Sequence, residues 1–164
     1  MHKLDHIFGI GPLWGLTWVP PAALVFWASV THGQVFNMDF LAVPLRLGCG
    51  FLLAVLGFGF VLWSVRTLRR YRVDKQLCTA GPYANVRHPL YAVWIWLLGP
   101  SIAFFANTWL AFALSPFAAV TLQFLVGREE AKLEAAYGDE YRAYCSRVGG
   151  VIPRLGRASP VRVK

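Results

Sequence analysis

Four apolar runs, at residues 12–30, 41–65, 90–106 and 108–127, dominate this chain and contain one charged residue between them, Arg46. A helix crosses the hydrocarbon of a bilayer in about 20 apolar residues. With no water there, every backbone N–H and C=O must be paired within the segment, so runs of this length are predicted to be spanning helices. The fold class expected is therefore all-α: a polytopic membrane protein with about four transmembrane helices and a C-terminal amphipathic helix. Composition agrees, because 57% of residues are apolar, 15% are charged and the mean hydropathy is +0.49, outside the range of soluble globular domains. Disorder, a fibrous repeat and a water-soluble enzyme are excluded on this ground. Cys49, Cys78 and Cys145 have no CxxC spacing, so they are expected to be free thiols rather than a disulfide or zinc framework, and no metal site is expected.

The first run follows Lys3, is long, and lacks an A-x-A cleavage site before Thr31, so it is expected to be a retained anchor rather than a signal peptide. Pro20 and Pro21 remove two backbone donors and predict a kink or break at that point. Asn107 and Thr108 mark the junction of the third and fourth runs, which predicts a tight helical hairpin. A single membrane domain is expected, with N-terminal helices over 1–65 and a second half over 66–164.

The placement of cations gives the orientation, since Lys and Arg of short loops stay on the cytoplasmic side. Arg66, Arg69, Arg70, Arg72, Lys75 and Arg87 crowd the connection between the second and third runs, and eight more Lys and Arg follow Val126. Residues 28–45 and 100–110 have none. Both termini are therefore expected in the cytoplasm. Arg46 stands apart near the start of the second run, either snorkelling to the outer surface or facing the bundle interior. The basic face, including the tail residues Arg154, Arg157, Arg162 and Lys164, suits anionic lipid headgroups better than nucleic acid.

Two cytoplasmic stretches carry more chemistry than anchoring requires. In Thr79-Ala-Gly-Pro-Tyr-Ala-Asn-Val-Arg-His-Pro-Leu-Tyr91, Gly81-Pro82 marks a turn. Pro89 suits the first turn of a helix, which puts Arg87 and His88 at its entrance. Free backbone N–H groups, the helix dipole and Arg87 there would suit a carboxylate or phosphate. The plainer alternative is topological, with Arg87 as an anchor, His88 as a cap, and Tyr83 and Tyr91 as interfacial aromatics. The second stretch begins at Arg128 and continues helically past the apolar run. Leu133, Tyr137, Tyr141, Tyr144 and Val148 form an apolar stripe that either lies on the bilayer or covers the mouth of the bundle. Gly138 weakens this helix midway and Gly149-Gly150 ends it. Glu129 and Glu130 sit at the negative end of the preceding helix dipole, a local violation of the kind found at functional sites unless neighbouring cations pair with them.

The spacing G-P-Y-x-x-V-R-H-P-x-Y, followed by E-E-x-x-L-x-x-x-Y-G-x-x-Y-x-x-Y-x-x-x-V and then I-P, resembles the isoprenylcysteine carboxyl methyltransferase and phospholipid methyltransferase superfamily over about residues 77–153. The N-terminal helices carry no such signature. The resemblance implies an integral-membrane methyltransferase that takes S-adenosylmethionine from the cytosol and a lipophilic acceptor from the bilayer. His88 and Tyr91 would then contact the cofactor, and Glu129 and Glu130 would take its ribose hydroxyls or ammonium. Tyr83, and after it Tyr141, would wall the adenine or close a lid. From the helix entrance, Arg87 and the donors around Pro89 would hold the cofactor carboxylate. Val93 replaces a Gly that often follows the H-P-x-Y motif, which bears on close packing there.

A carboxylate acceptor needs no base at neutral pH, whereas an ammonium acceptor must first lose a proton, and no catalytic base is assigned. A lipid tail would enter beside Trp94, Trp96 or the face of Gly48, Gly50, Gly57 and Gly59, although such glycines more often serve helix packing. The acceptor class stays open between carboxylate, amine and thiol, as does the oligomeric state. Two other classes remain alternatives: an NADPH-dependent membrane reductase of sterol-reductase type, and a non-catalytic membrane binding protein of the same fold.

Overall fold

A computed structural model describes residues 10–154. Lys3, Arg157, Arg162 and Lys164, and with them both termini, lie outside the described residues. The first apolar run forms α1 (Gly11–Leu16) and α2 (Val19–Thr31), broken at Thr17-Trp18. This corrects the expected break at Pro20-Pro21. The prolines instead occupy the first turn of α2, where a missing N–H has no intrahelical acceptor to lose. After a short α3 (Gly33–Phe36), α4 runs for 31 residues, Val43–Val73. At about 1.5 Å per residue it outruns a hydrocarbon layer of about 30 Å, so its last turns carry the basic residues out of the apolar slab.

The third run is a 17-residue helical stretch in three parts: α5 (Pro89–Val93), a π-helical turn (Trp94–Leu98) and α6 (Gly99–Phe105). Pro100 has no N–H to offer the preceding turn, and the Gly99 N–H bonds to the Trp94 carbonyl five residues back. That carbonyl lies so near that a Cβ at Gly99 would fall 2.8 Å from it. A turn at residues 106–108, with Asn107 at φ +53°, leads through a 3₁₀ segment (Trp109–Ala113) into α7 (Leu114–Arg147). Gly138 interrupts α7 at φ +52°, ψ −124°, a conformation essentially reserved for glycine.

Close packing explains half of the glycine face of α4. A Cβ at Gly57 would fall 2.5 Å from Leu98 Cδ2, and one at Gly50 3.1 Å from Phe104 Cβ, whereas Gly48 and Gly59 face open space. Arg46 bonds the carbonyls of Phe104 and Phe105, so it caps the C-terminal end of α6 across the bundle. At the same end the Asn107 amide donates to Asp39 and the Trp109 indole to the Val35 carbonyl. A core of Trp14, Ile95, Ala118 and Leu122 joins α1, the π turn and α7, with the Trp14 indole donating to the Ala118 carbonyl. Val93, where a glycine often follows the H-P-x-Y motif, is 2% exposed, so the interior accommodates its side chain.

The described chain is thus all-α. Three segments, Gly11–Thr31, Val43–Val73 and Trp109–Arg147, are long and apolar enough to cross a membrane, and Pro89–Phe105 is a shorter apolar fourth. It is an integral membrane protein, and its three cysteines are free.

Candidate functional site

At the basic end of the bundle, α1, α4, α5 and α7 border a partly open cavity of about 780 Å³. One side is polar, built from the two stretches singled out in the sequence. Tyr83, Arg87, His88, Pro89, Tyr91 and Glu129 all line it, joined by Tyr137, Tyr141 and Tyr144 of α7. The other side is apolar and comes from Trp18 at the α1–α2 break, from Val61, Val65 and Leu68 of α4, and from Leu90 and Trp94. Glu130, the remaining residue expected there, does not line the cavity; it sits behind Arg87 and His88.

The local geometry follows from how the chain enters α5. Gly81, at φ +57°, starts a 3₁₀ turn (Gly81–Ala84) that buries Tyr83. Val86 then pairs with Gly149, and the N–H groups of Arg87 and His88 donate to the carbonyls of Gly149 and Gly150 at 2.7 and 3.0 Å. The segment after α7 therefore straps across the entrance. It takes up two of the backbone donors that sequence reasoning left for an anion.

Arg87 is equally committed. Its Nε and Nη2 donate to Glu130 Oε1 at 3.1 and 2.7 Å, and its Nη1 to the Val148 carbonyl at 2.7 Å. His88 Nε2 lies 3.1 Å from the same Glu130 oxygen. Hydrogen bonds from His88 and then Arg87 hold the Glu130 carboxyl down at about 2, against burial, which pushes the other way. The acidic pair beside the dipole is thus half excused by ion pairing, as the sequence allowed. Glu129 is the other half. It faces the cavity, and its Oε2 accepts the Tyr91 hydroxyl at 3.0 Å.

The stripe on α7 covers the mouth of the bundle rather than lying on the bilayer. Tyr141 and Tyr144, each 3% exposed, pack with Leu77, and Leu133, Tyr137 and Val148 surround them. The kink at Gly138 turns this last segment over the cavity. The Tyr144 hydroxyl donates to the Tyr83 carbonyl at 2.6 Å, tying the cover to the loop before α5. Burial pushes the Tyr83 and Tyr144 hydroxyls above their ordinary range, so both stay protonated donors. The Tyr141 hydroxyl is buried, with the Cys145 thiol as the polar side chain beside it.

Sequence reasoning missed Arg72, Gln76, Leu77 and Cys78, which form the cavity wall where α4 ends, and Trp14 and Trp18 of the first run. One signal was available: Leu77-Cys78 is an apolar pair in an otherwise polar connection, and both residues are 7% exposed. The Trp14 and Trp18 positions had none, because aromatic residues in an apolar run look alike whether they face lipid or a cavity. The site offers a carboxylate, cationic side chains, phenol rings and an apolar wall around one cavity. This combination suits a ligand bearing charges of both signs next to an apolar chain.

The model of the isoprenylcysteine carboxyl methyltransferase family matches residues 50–135. The match begins in α4, upstream of the G-P-Y and R-H-P motifs and in a helix without such a signature, and it ends before the tyrosines that cover the cavity. No curated protein matches the chain. The matched segment spans just over half of the sequence and contains Tyr83, Arg87, His88, Pro89, Tyr91, Glu129 and Glu130. By this match the chain belongs to the isoprenylcysteine carboxyl methyltransferase family.

Proposed function

We propose that this protein transfers the methyl group of S-adenosylmethionine to a lipophilic acceptor, an isoprenylcysteine-like carboxylate or a phospholipid amine. The observation that carries the reading is the two-sided cavity, polar toward the α5 entrance and apolar toward α1 and α4. Family membership supports it. Glu129, held by Tyr91, is placed to accept hydrogen bonds from an ammonium or a ribose diol. His88 stands beside them, Tyr83 and Tyr141 supply aromatic walls, and the lining cations Arg87 and Arg72 are nearest in chemistry to a carboxylate. The lining thus holds an acceptor carboxylate, cations and aromatic rings of the kinds such a cofactor calls for.

When bound, the cofactor supplies a methyl group on a sulfonium, already activated for displacement. The protein's task is then alignment and exclusion of water. The buried tyrosines cover part of the polar side, and the wall of Val61, Val65, Leu68 and Trp94 orients an apolar chain. A carboxylate acceptor and the sulfonium would neutralise each other on transfer, and a neutral amine would take over the positive charge; an apolar wall favours the first of these. In this reading the cavity and both termini face the cytoplasm, and the exposed cations at the end of α4 rest on anionic headgroups.

The test is incubation of the purified protein in nanodiscs with methyl-tritiated S-adenosylmethionine and, in separate arms, a prenylated carboxylate, a phosphatidylethanolamine and a lipophilic thiol. Label in the organic extract of one arm, lost in His88→Ala, is expected. A folded protein that labels none of the three contradicts the proposal.

A further inference from the structure

Glu130 has no place at the cavity wall, yet its Oε1 gathers three donors: Nε and Nη2 of Arg87 at 3.1 and 2.7 Å, and Nε2 of His88 at 3.1 Å. An ionised carboxylate can only accept, so the ring nitrogen facing it carries the proton. In the neutral imidazole the other nitrogen, Nδ1, then keeps its lone pair. Nδ1 takes part in none of the hydrogen bonds of the described residues. His88 itself lines the cavity, with its side chain 5% exposed and its ring 5.9 Å from that of Tyr91.

The rest of the arrangement holds the imidazole still. The His88 N–H is fixed to the Gly150 carbonyl, and Arg87 spans from Glu130 to the Val148 carbonyl. The charged and titratable groups around the ring are Glu130 and Arg87 on one side and Tyr91 on the other, with Glu129 and Tyr141 beyond them.

We infer that Glu130 is a positioning residue: with Arg87 it fixes His88 as the Nε2–H tautomer, so that Nδ1 accepts a hydrogen bond from an N–H or O–H donor of the bound cofactor. Glu130 does not itself bind the cofactor. This rests on the S-adenosylmethionine reading above for the identity of the ligand, but the tautomer does not depend on it. The donor is either the cofactor's ammonium or a ribose hydroxyl.

The experiment has two parts. Long-range proton–nitrogen spectra of histidine-labelled protein in detergent, without ligand, report which ring nitrogen of His88 is protonated; a His88→Gln spectrum assigns it among the four histidines. The wild type is expected as Nε2–H near neutral pH, and Glu130→Ala as a mixture. Titration with S-adenosylhomocysteine should then show about 10-fold or greater weakening in Glu130→Ala, the loss of one charge-assisted contact. 5′-Methylthioadenosine, which keeps the ribose and lacks the ammonium, separates the two donors: weakening for both ligands identifies the hydroxyl, and weakening for S-adenosylhomocysteine alone identifies the ammonium. An Nδ1–H tautomer in the wild type, or unchanged tautomer and affinity in Glu130→Ala, overturns the inference. A wild type that shows Nε2–H but binds neither ligand refutes the cofactor reading while leaving the clamp intact.

Discussion

Replacing Arg87 should destabilise the protein far more than a surface arginine would. Its side chain is 15% exposed and that of Glu130 28%, so the pair is largely withdrawn from water. Deleting one partner of a fully buried pair costs about 3–5 kcal/mol, because the other charge is left uncompensated; the solvent contact of Glu130 places Arg87→Ala near the lower figure, about 3 kcal/mol. The lost bond to the Val148 carbonyl adds about 1 kcal/mol and frees the strap over the α5 entrance. For a chain of this size about 1 kcal/mol corresponds to roughly 2–4 °C, so the melting temperature should fall by about 8–16 °C. Arg87→Lys keeps the charge but cannot span Glu130 and Val148 together, and should lose about half as much. Tryptophan fluorescence of the detergent-solubilised protein, without ligand, reads both. An Arg87→Ala protein melting within about 2 °C of wild type would refute the clamp.

Three further outcomes follow from named contacts. The Glu130 carboxyl is held at about 2 against an ordinary 4.5, so its contribution to stability is complete above about 4.5 and is lost as pH falls toward 2. Discounted for solvent, this is about 2 kcal/mol, so the wild type should lose its advantage over Glu130→Gln across that window in acid-melting curves. Gly138→Ala meets no clash, since nothing lies within 4 Å of its Cβ, but it forbids the native backbone; a loss of about 1–3 kcal/mol and faster proteolysis of the segment after residue 138 are expected. Gly99→Ala sets a Cβ 2.8 Å from the Trp94 carbonyl, a backbone atom that cannot step aside, and should lower the melting temperature more than Gly59→Ala, which faces open space.

Much of this molecule was legible because membrane physics leaves few choices. Uninterrupted apolar runs fix the helices, and the seven residues of the two motifs converge on one end of the bundle. Details set by tertiary contact were less legible. The break at Thr17-Trp18 precedes the prolines that suggested it, since a helix tolerates proline in its first turn. The π turn depends on Pro100 and Gly99 acting together, a pairing that apolar periodicity does not reveal. Glu129 and Glu130 are neighbours in sequence with the same charge. Only the geometry separates them, one facing the cavity with Tyr91 and the other turned behind His88.

The most direct test of the account is calorimetric titration of the protein in nanodiscs with S-adenosylmethionine, S-adenosylhomocysteine and NADPH, repeated for Glu129→Gln. Saturable binding of the first two but not of NADPH, weakened in the variant, is the predicted result. Binding of NADPH alone, or of no ligand by a demonstrably folded protein, would contradict it.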